Sequence, residues 1–206
     1  MAGRRAAVIF DIGNVLFHWD PRYLYERLIS DDRALDAFLR DVVTHEWHFQ
    51  HDAGRPFAET SAELAGRYPE HADLIAAWGP RFNESIGGPV AGMHEIVRAL
   101  GEAGVPIFAL TNFSGEFFPP FRAEWESLFT HFRDIVVSGD ERLVKPDPAI
   151  YRLAIDRFGV DPAQTIFVDD NPANVAAARD EGIDAVHFTD ATTFRAKLVK
   201  SGLLAT

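Results

Sequence analysis

The chain of 206 residues has no cysteine and fewer positive than negative charges. Without cysteine, disulfide bonds, thiolate metal sites and cysteine nucleophiles are excluded, and the composition fits a reducing compartment. Lys and Arg number 20 against 31 Asp and Glu, so the formal net charge is -11. An acidic chain of this kind argues against nucleic acid and against an anionic membrane surface as partners.

Long hydrophobic runs are also missing. No run approaches the roughly 20 apolar residues of a transmembrane helix. The apolar stretch that follows the basic residues 1–5 ends at Asp11, which is too short for the apolar region of a signal peptide. We therefore expect a soluble, cytoplasmic protein with no membrane partner. Its length predicts one domain, or one domain with an insert, and 47% hydrophobic residues suffice for a sizeable core.

Five short apolar runs lack the alternation of a half-buried strand, as is typical of parallel strands covered on both faces. They span 6–10, 105–110, 135–137, 165–168 and 185–188. Helical patterns separate most of them, and Asp147-Pro148 and Asn171-Pro172 are typical helix starts, with a capping residue followed by proline. This alternation predicts an α/β fold with a doubly wound parallel sheet.

Residues 18–87 break the alternation. They contain Trp19, Trp47 and Trp78, show helical spacing and include no convincing strand, and Gly87-Gly88-Pro89 marks a flexible return. We predict an all-helical insert, called the cap here, over the carboxyl edge of the sheet. The predicted boundaries are 1–17 and 88–206 for the α/β core domain and 18–87 for the cap.

Polar side chains occur where predicted strands end. Asp11 follows the first strand, Thr111 the second, Lys145 comes after the third, and Asp169 and Asp170 follow the fourth. The carboxyl ends of parallel strands share one edge, so these groups should meet. Carboxylates bind Mg²⁺, a lysine and a hydroxyl hold phosphate oxygens, and a carboxylate can act as a nucleophile.

These residues form four motifs in order along essentially the whole chain. They are Phe10-Asp11-Ile12-Gly13-Asn14-Val15, Leu110-Thr111-Asn112, Lys145-Pro146, and Asp169-Asp170-Asn171 with Asn174. The set resembles the haloacid dehalogenase (HAD) superfamily of hydrolases with a helical cap and a Rossmann-like core. The Asp-x-Gly-Asn-Val segment is similar to a sugar-1-phosphate phosphatase subgroup of that family.

The resemblance implies a role for each residue. Asp11 would be the nucleophile, Thr111 would hold the transferring phosphoryl group with help from the backbone of Asn112, and Lys145 would steady the nucleophile and the phosphoryl oxygens. Mg²⁺ would be bound by Asp11, the carbonyl of Gly13, Asp169 and Asp170, with Asn174 behind them. The family places a specificity loop in the cap, where the polar cluster His45, Trp47, His48, Gln50, His51 and Asp52 precedes Arg55. We expect His48, Gln50 or Arg55 to contact the substrate.

Gly13 departs from the pattern of most phosphatases of this family, which carry an acid at this position to protonate the leaving group. Such general acid–base help is worth about 10²–10⁴-fold. Three explanations are open. The leaving group is good enough to need little protonation, or another residue (His18, Asp20 or a cap histidine) substitutes, or the reaction is not phosphoryl transfer. The subgroup resemblance favours the first.

The expected function is therefore a Mg²⁺-dependent phosphatase that acts on a small phosphorylated metabolite, with a sugar phosphate as one candidate, in a monomer or homodimer. One alternative is a metal-independent 2-haloacid dehalogenase, for which Lys145 and Tyr151 would fit. The adjacent Asp169 and Asp170 argue against it, because they would repel Asp11 strongly without a cation. Another alternative is a catalytically weak regulatory protein that only binds phosphate.

Overall fold

The computed structural model describes residues 7–205. The basic start and Ala6, at the beginning of the first apolar run, lie outside the described residues. In the described part the strands are β1 (Ala7–Phe10), β2 (Phe17–Trp19), β3 (Ile86–Pro89), β4 (Ile107–Thr111), β5 (Asp134–Val137), β6 (Thr165–Asp169) and β7 (Asp184–His187). Each of the five predicted strands is present, with ends shifted by a residue or two.

All helices but the last lie between these strands in the sequence. They are α1 (Pro21–Tyr25), α2 (Asp32–Asp41), α3 (His45–Asp52), α4 (Phe57–Arg67), α5 (Ala72–Ala77), α6 (Met93–Glu102), α7 (Phe118–Glu124), α8 (Glu126–Phe129), α9 (Ser138–Glu141), α10 (Pro148–Phe158), α11 (Pro172–Asp180) and α12 (Ala191–Lys200). As predicted, Asp147 caps α10 and Asn171 caps α11, each accepting a hydrogen bond from a backbone N–H of the first turn. No helix within residues 7–205 is long and apolar enough to cross a membrane.

The central sheet is parallel, in the order β5-β4-β1-β6-β7. In β1, Val8 and Phe10 belong to one buried apolar cluster and Ala7 and Ile9 to another. Because successive side chains of a strand point to opposite faces, both faces of the sheet are covered. This is the doubly wound α/β arrangement that the sequence predicts.

Register decides which strand ends meet. Phe10 of β1 lies opposite Ala109 of β4 and Val168 of β6. The next residue, Asp11, therefore stands level with Asp169, the last residue of β6, and with Leu110, one residue before the end of β4. The middle of the sheet thus brings its polar residues to a single edge, where open α/β sheets bind ligands.

The cap is formed by α1 to α5, and its core is continuous with one face of the sheet, since Tyr25 and Trp78 belong to the same buried cluster as Val8 and Phe10. Sequence patterns missed its base, where β2 and β3 form a two-stranded antiparallel sheet. These strands straddle the boundaries predicted at 17/18 and 87/88. They are three and four residues long, and Gly and Pro in β3 are poor strand formers.

Candidate active site

Asp11 lies at the carboxyl edge of the sheet because the β1 ladder carries it there. Its N–H donates to the carbonyl of Val168 at 2.9 Å, and its Oδ1 accepts from the N–H of Ile12 at 2.7 Å. Burial raises the pKa of Asp11 to about 7, with the charge of Asp169 adding to the effect and Lys145 opposing it. A carboxylate in this position is close to water yet poorly solvated, which suits a nucleophile.

Lys145 connects the ends of two strands. Its Nζ lies 3.0 Å from Oδ1 of Asp11 and 2.6 Å from Oδ2 of Asp169, and the lysine side chain is only 1% exposed. Burial by itself would lower the pKa of Lys145, but the two carboxylates outweigh it and the pKa is raised. The ammonium group therefore stays charged beside Asp11.

Asn112 fixes the backbone of that lysine. Its Oδ1 accepts from the N–H of Lys145 at 2.8 Å, and its Nδ2 donates to the carbonyl of Lys145 at 3.0 Å. The side chain of Asn112 is thus engaged with the protein, and Asn112, whose backbone was predicted to help hold the phosphoryl group, lines the cavity described below. Thr111, at the end of β4, is buried and is not among the cavity-lining residues.

Asp169 is saturated with hydrogen bonds. Its Oδ1 accepts from the N–H of Asn171 at 2.8 Å and from Nδ2 of Asn174 at 3.0 Å. Its Oδ2 accepts from Lys145 at 2.6 Å and from Asn174 at 3.1 Å. An ionised carboxylate offers about four lone-pair sites, and all are taken here. Asp169 therefore holds Lys145 in place, and Asn174 is hydrogen-bonded to it from the other side.

Three carboxylates could together hold a metal ion. Asp11, Asp169 and Asp170 each offer an oxygen, and these atoms lie within 4.8 Å of one another. Asp170 and Gly13 both line the cavity, and burial followed by the charge of Asp169 raises the pKa of Asp170. These are hard oxygen donors, and their negative charge exceeds the positive charge of Lys145. Such a donor set fits Mg²⁺. Of these donors, Asp11 and Asp170 are the ones that line the cavity.

A cavity of about 310 Å³ lies between this edge and the cap. Its polar end holds Asp11, Gly13, Lys145 and Asp170. The remaining wall has an aromatic and aliphatic part, formed mainly by Phe17, Trp19, Phe49, Phe82, Ile86, Phe113 and Phe121, and a polar part, formed by Asn14, His45, His48, Asp52, Asn112, Asn171 and Asn174. The cap and the core together therefore offer an apolar surface to whatever is attached to the reacting group.

One face of helix α3 forms the roof of the cavity. Its cavity-lining residues His45, His48, Phe49 and Asp52 follow the helical spacing. Of the three cap residues predicted to contact the substrate, only His48 lies there. Gln50 lies on another face of α3 and accepts a hydrogen bond from Arg55, which also pairs with Glu63 at 2.7 Å. The structure thus does not bring Gln50 and Arg55 to the cavity.

Asp52 is a buried acid to which the sequence patterns assigned no role. Its Oδ2 lies 3.5 Å from Nε2 of His48, while its Oδ1 has no hydrogen-bond partner among the described residues. Burial, and then the charge of Asp11, raise the pKa of Asp52 to about 8. Ser138, just after β5, donates to the carbonyl of Asp52 at 2.6 Å and fixes this end of α3 to the core. In the sequence, the only signal for Asp52 was its spacing of four residues from His48.

Tyr151 takes no part in the site. Its hydroxyl donates to the carbonyl of Asn174 at 3.0 Å, the side chain is buried, and Tyr151 does not line the cavity. The tyrosine that would fit a dehalogenase is therefore used in packing α10 against α11.

The family model for haloacid dehalogenase-like hydrolases matches residues 6–182. The chain belongs to this family. Its four motifs are thus family motifs, as the sequence resemblance implied, and the relatives described next make it a hydrolase of the phosphatase type.

Curated relatives differ in what they act on. The sesquiterpene phosphatase astK of Aspergillus oryzae is 30% identical over 190 residues, covering 89% of this chain and 90% of its own length. The phosphoserine phosphatase of Thermus thermophilus is 42% identical over 183 residues, covering 83% and 70%. The phosphorylated carbohydrates phosphatase of Thermotoga maritima is 36% identical over 188 residues, covering 88% and 83%.

Solved structures share the fold. The HAD family enzyme BT-2542 of Bacteroides thetaiotaomicron, in complex with magnesium and inorganic phosphate, superposes with a TM-score of 0.68 at 19% identity, covering 90% of this chain and 95% of that chain. The L-2-haloacid dehalogenase of Xanthobacter autotrophicus gives 0.59 at 19% identity, covering 98% and 85%. The fold thus accommodates both chemistries, and the site has to decide between them.

Proposed function

We propose that this protein is a Mg²⁺-dependent phosphatase that hydrolyses a small phosphomonoester through an aspartyl-phosphate intermediate on Asp11. The observation that carries this proposal is the cluster of Asp11, Lys145 and Asp170 at the polar end of a cavity roofed by the cap. A carboxylate nucleophile, a fixed ammonium group and further carboxylates are the groups that phosphoryl transfer by this route requires.

Each of these side chains has a distinct task. Oδ of Asp11 attacks phosphorus in line with the leaving oxygen, and Lys145 stabilises the charge on the phosphoryl oxygens. Asp169 and Asn112 hold Lys145 in place, one through its ammonium group and the other through its peptide group. Water then attacks phosphorus and frees Asp11. Closure by the cap keeps bulk water away from the phosphoryl group.

Asp11, Asp170 and the carbonyl of Gly13 would hold Mg²⁺ in this scheme. The ion supplies positive charge that binds the phosphate and relieves the repulsion between carboxylates. The magnesium complex of BT-2542, which has the same fold, is consistent with the presence of the ion. Asp169 keeps its four hydrogen bonds and needs no contact with the ion.

The cavity wall supports a substrate whose organic part is largely apolar. The hydroxyl groups of a sugar that lay against the phenylalanine rings would lack polar partners there, which would be unfavourable. A relative that is named a sesquiterpene phosphatase is consistent with this choice. A sugar phosphate, which the sequence favoured, becomes the second candidate because of the carbohydrate phosphatase relative.

The decisive experiment measures phosphate release from p-nitrophenyl phosphate with Mg²⁺ and with a chelator. We expect turnover only with Mg²⁺, and loss of turnover by at least about 10³-fold in Asp11→Asn. The control Asp140→Asn changes an exposed acid near the same edge that does not line the cavity. Full turnover by Asp11→Asn would exclude the mechanism. Halide release from 2-chloropropionate in the presence of chelator would favour the dehalogenase, and Mg²⁺ binding without any turnover would favour the regulatory protein.

Substrate class is tested by comparing n-hexyl, ethyl and glucose phosphates. Each buried methylene contributes about 0.8 kcal/mol, so kcat/KM for hexyl phosphate should exceed that for ethyl phosphate by at least about tenfold. Phe82→Ala should reduce this ratio while leaving ethyl phosphate little affected. A clear preference for glucose 6-phosphate or glucose 1-phosphate would instead support the sugar phosphate.

A further inference from the structure

A phosphatase of this kind needs a proton donor for the leaving oxygen, and position 13 cannot supply one. Gly13 lines the cavity but has no side chain. The two other candidates just after it in the sequence do not replace it. Asp20 is exposed and caps α1 by accepting from the N–H of Arg22, and His18 is exposed; neither lines the cavity.

Asp52 is the one acid of the cap that lines the cavity. It is 6% exposed, and its Oδ1 is buried without a hydrogen-bond partner among residues 7–205. A buried polar atom is normally satisfied, so an unpaired carboxyl oxygen in a residue that lines the same cavity as the nucleophile calls for an explanation. The anchor from Ser138 to the carbonyl of Asp52 holds it on the roof, opposite the floor that bears Asp11.

The placement fits the geometry of an in-line reaction. Asp11 attacks from the floor of the cavity, so the leaving oxygen departs on the far side of phosphorus, toward the cap. The roof residues of α3 are the groups on that side. Two other polar groups of α3 line this roof: His45, which is exposed, and His48, which is buried between Trp19 and Phe82, with ring centroids 4.9 and 5.8 Å from its own. Burial, followed by the charges of His51 and His45, lowers the pKa of His48 to about 3, so near neutral pH His48 is the uncharged imidazole and not an acid.

We infer that Asp52 is the general acid and base of the reaction, replacing the acid that is missing at position 13. This inference rests on the phosphatase function proposed above. In the first step the bond from Oδ of Asp11 to phosphorus forms, the bond from phosphorus to the leaving oxygen breaks, and the carboxyl proton of Asp52 passes to that oxygen. In the second step the Asp52 carboxylate accepts a proton from water as the water oxygen bonds to phosphorus and the bond to Asp11 breaks. The sum is a phosphomonoester plus water giving an alcohol plus phosphate.

The surroundings of Asp52 support the protonated starting form. Burial and the nearby charge of Asp11 favour the neutral carboxyl group, and only Lys145 opposes them. A carboxyl group that keeps its proton near neutral pH can deliver it in the first step, as a general acid must.

The test is the dependence of Asp52→Asn on the leaving group. With n-hexyl phosphate, whose alkoxide is a poor leaving group, turnover should fall by about 10²–10⁴-fold. With p-nitrophenyl phosphate, the phenolate leaves without a proton. The variant should therefore release one equivalent of p-nitrophenolate in a burst near the wild-type rate, followed by slow turnover because the second step lacks its base. Asp20→Asn is the matched control and should behave as wild type with both substrates.

The burst also measures the fraction of folded, competent protein, so a poorly folding variant remains interpretable. Equal losses in the burst rate and in hexyl phosphate turnover would overturn the inference, as would unchanged turnover of hexyl phosphate. If wild-type protein hydrolyses neither ester with Mg²⁺, the proposed function itself fails. If wild type is active, Asp11→Asn is inactive and Asp52→Asn is unaffected, only the inference about Asp52 fails.

Discussion

The carboxamide of Asn112 and the peptide group of Lys145 exchange two hydrogen bonds, at 2.8 and 3.0 Å. The ammonium group at the other end of this lysine lies between Asp11 and Asp169. The backbone of Lys145 is therefore held by Asn112, at the end of β4, and its ammonium group is held by Asp11 and Asp169, at the ends of β1 and β6. The loop that bears it has little freedom to move relative to the nucleophile.

We expect Asn112→Ala to reduce both activity and stability. Two partly buried hydrogen bonds are lost, which should lower the free energy of unfolding by about 1–3 kcal/mol. A displaced ammonium group should lower kcat by about 10²-fold. Asn83→Ala is the control, because Asn83 donates only to an exposed Glu124. Unfolding in urea and turnover of p-nitrophenyl phosphate measure both effects, and wild-type kcat in Asn112→Ala would contradict the role given to the pair.

Lys145 and Asp169 should be energetically coupled. Lys145→Met leaves two buried carboxylates without their cation and should lower the free energy of unfolding by about 3–5 kcal/mol. In the double variant with Asp169→Asn one of those charges is gone, so the loss should be smaller than the sum of the single losses by at least about 1 kcal/mol. Urea unfolding with chelator present tests this, and simple additivity would argue against it. Arg98→Met, which removes an exposed pair with Glu95, should have no measurable effect.

Gly139 marks where the cap meets the core. A Cβ at this position would lie 2.5 Å from the backbone N of Gly115 and 2.9 Å from the carbonyl of Phe113. Neither backbone atom can move easily, so Gly139→Ala should destabilise the protein by about 3 kcal/mol. Gly66→Ala, in helix α4 with no atom within 4 Å of the added Cβ, should instead stabilise it by about 0.5 kcal/mol. Thermal unfolding of the two variants should shift in opposite directions, and a loss in both would refute the argument.

His51 should make the protein sensitive to acid. Burial, followed by the charge of Arg55, lowers the pKa of His51 from 6.5 to about 4. Between these values the unfolded chain binds the proton and the folded chain does not. Stability is therefore fully present above pH 6.5 and is lost as the pH falls toward 4, by about 3 kcal/mol.

The variant His51→Phe should lose less stability than wild type between pH 7 and pH 4.5, measured by urea unfolding with chelator present. His18→Gln, at an exposed position, should follow the wild type. His51→Phe has to be compared with wild type because Asp52 has an effect of opposite sign in both proteins. The raised pKa of Asp52 favours the folded state at low pH, and this effect is lost as the pH rises through about 8. Identical pH curves for His51→Phe and wild type would contradict the prediction.

Gly13→Asp should restore a second acid near the nucleophile. An added Cβ would have no heavy atom within 4 Å, and the backbone there is not in the left-handed region. In an Asp52→Asn background this change should raise hydrolysis of n-hexyl phosphate by at least about tenfold, while in wild type the effect should be small. An equally large gain in wild type would mean that wild type lacks a working acid.

Much of the fold could be predicted because the signals are local. Unalternating apolar runs separated by capped helices specify buried parallel strands, and the strand ends place Asp11, Lys145 and Asp170 on one edge. The strands β2 and β3 could not be predicted, since they are short, contain Gly and Pro, and form only because the chain enters and leaves the cap side by side.

The different roles of the site residues could not be predicted from the sequence either. The motif Asp169-Asp170 reads as two equivalent metal ligands, whereas in the structure the first is hydrogen-bonded to Lys145 and the second lines the cavity. Gln50 and Arg55 looked as suitable as His48, and only the orientation of α3 separates them.

By itself the sequence determined the α/β core, the helical cap and the order of the four motifs, because each depends on patterns within a few residues along the chain. It also showed that position 13 lacks an acid. Only the tertiary structure decided that Asp52, 41 residues after Asp11 in the sequence, is buried in the cavity that contains the nucleophile. Burial and neighbouring charge set the protonation of a carboxyl group, and both depend on contacts between segments that are remote in the chain.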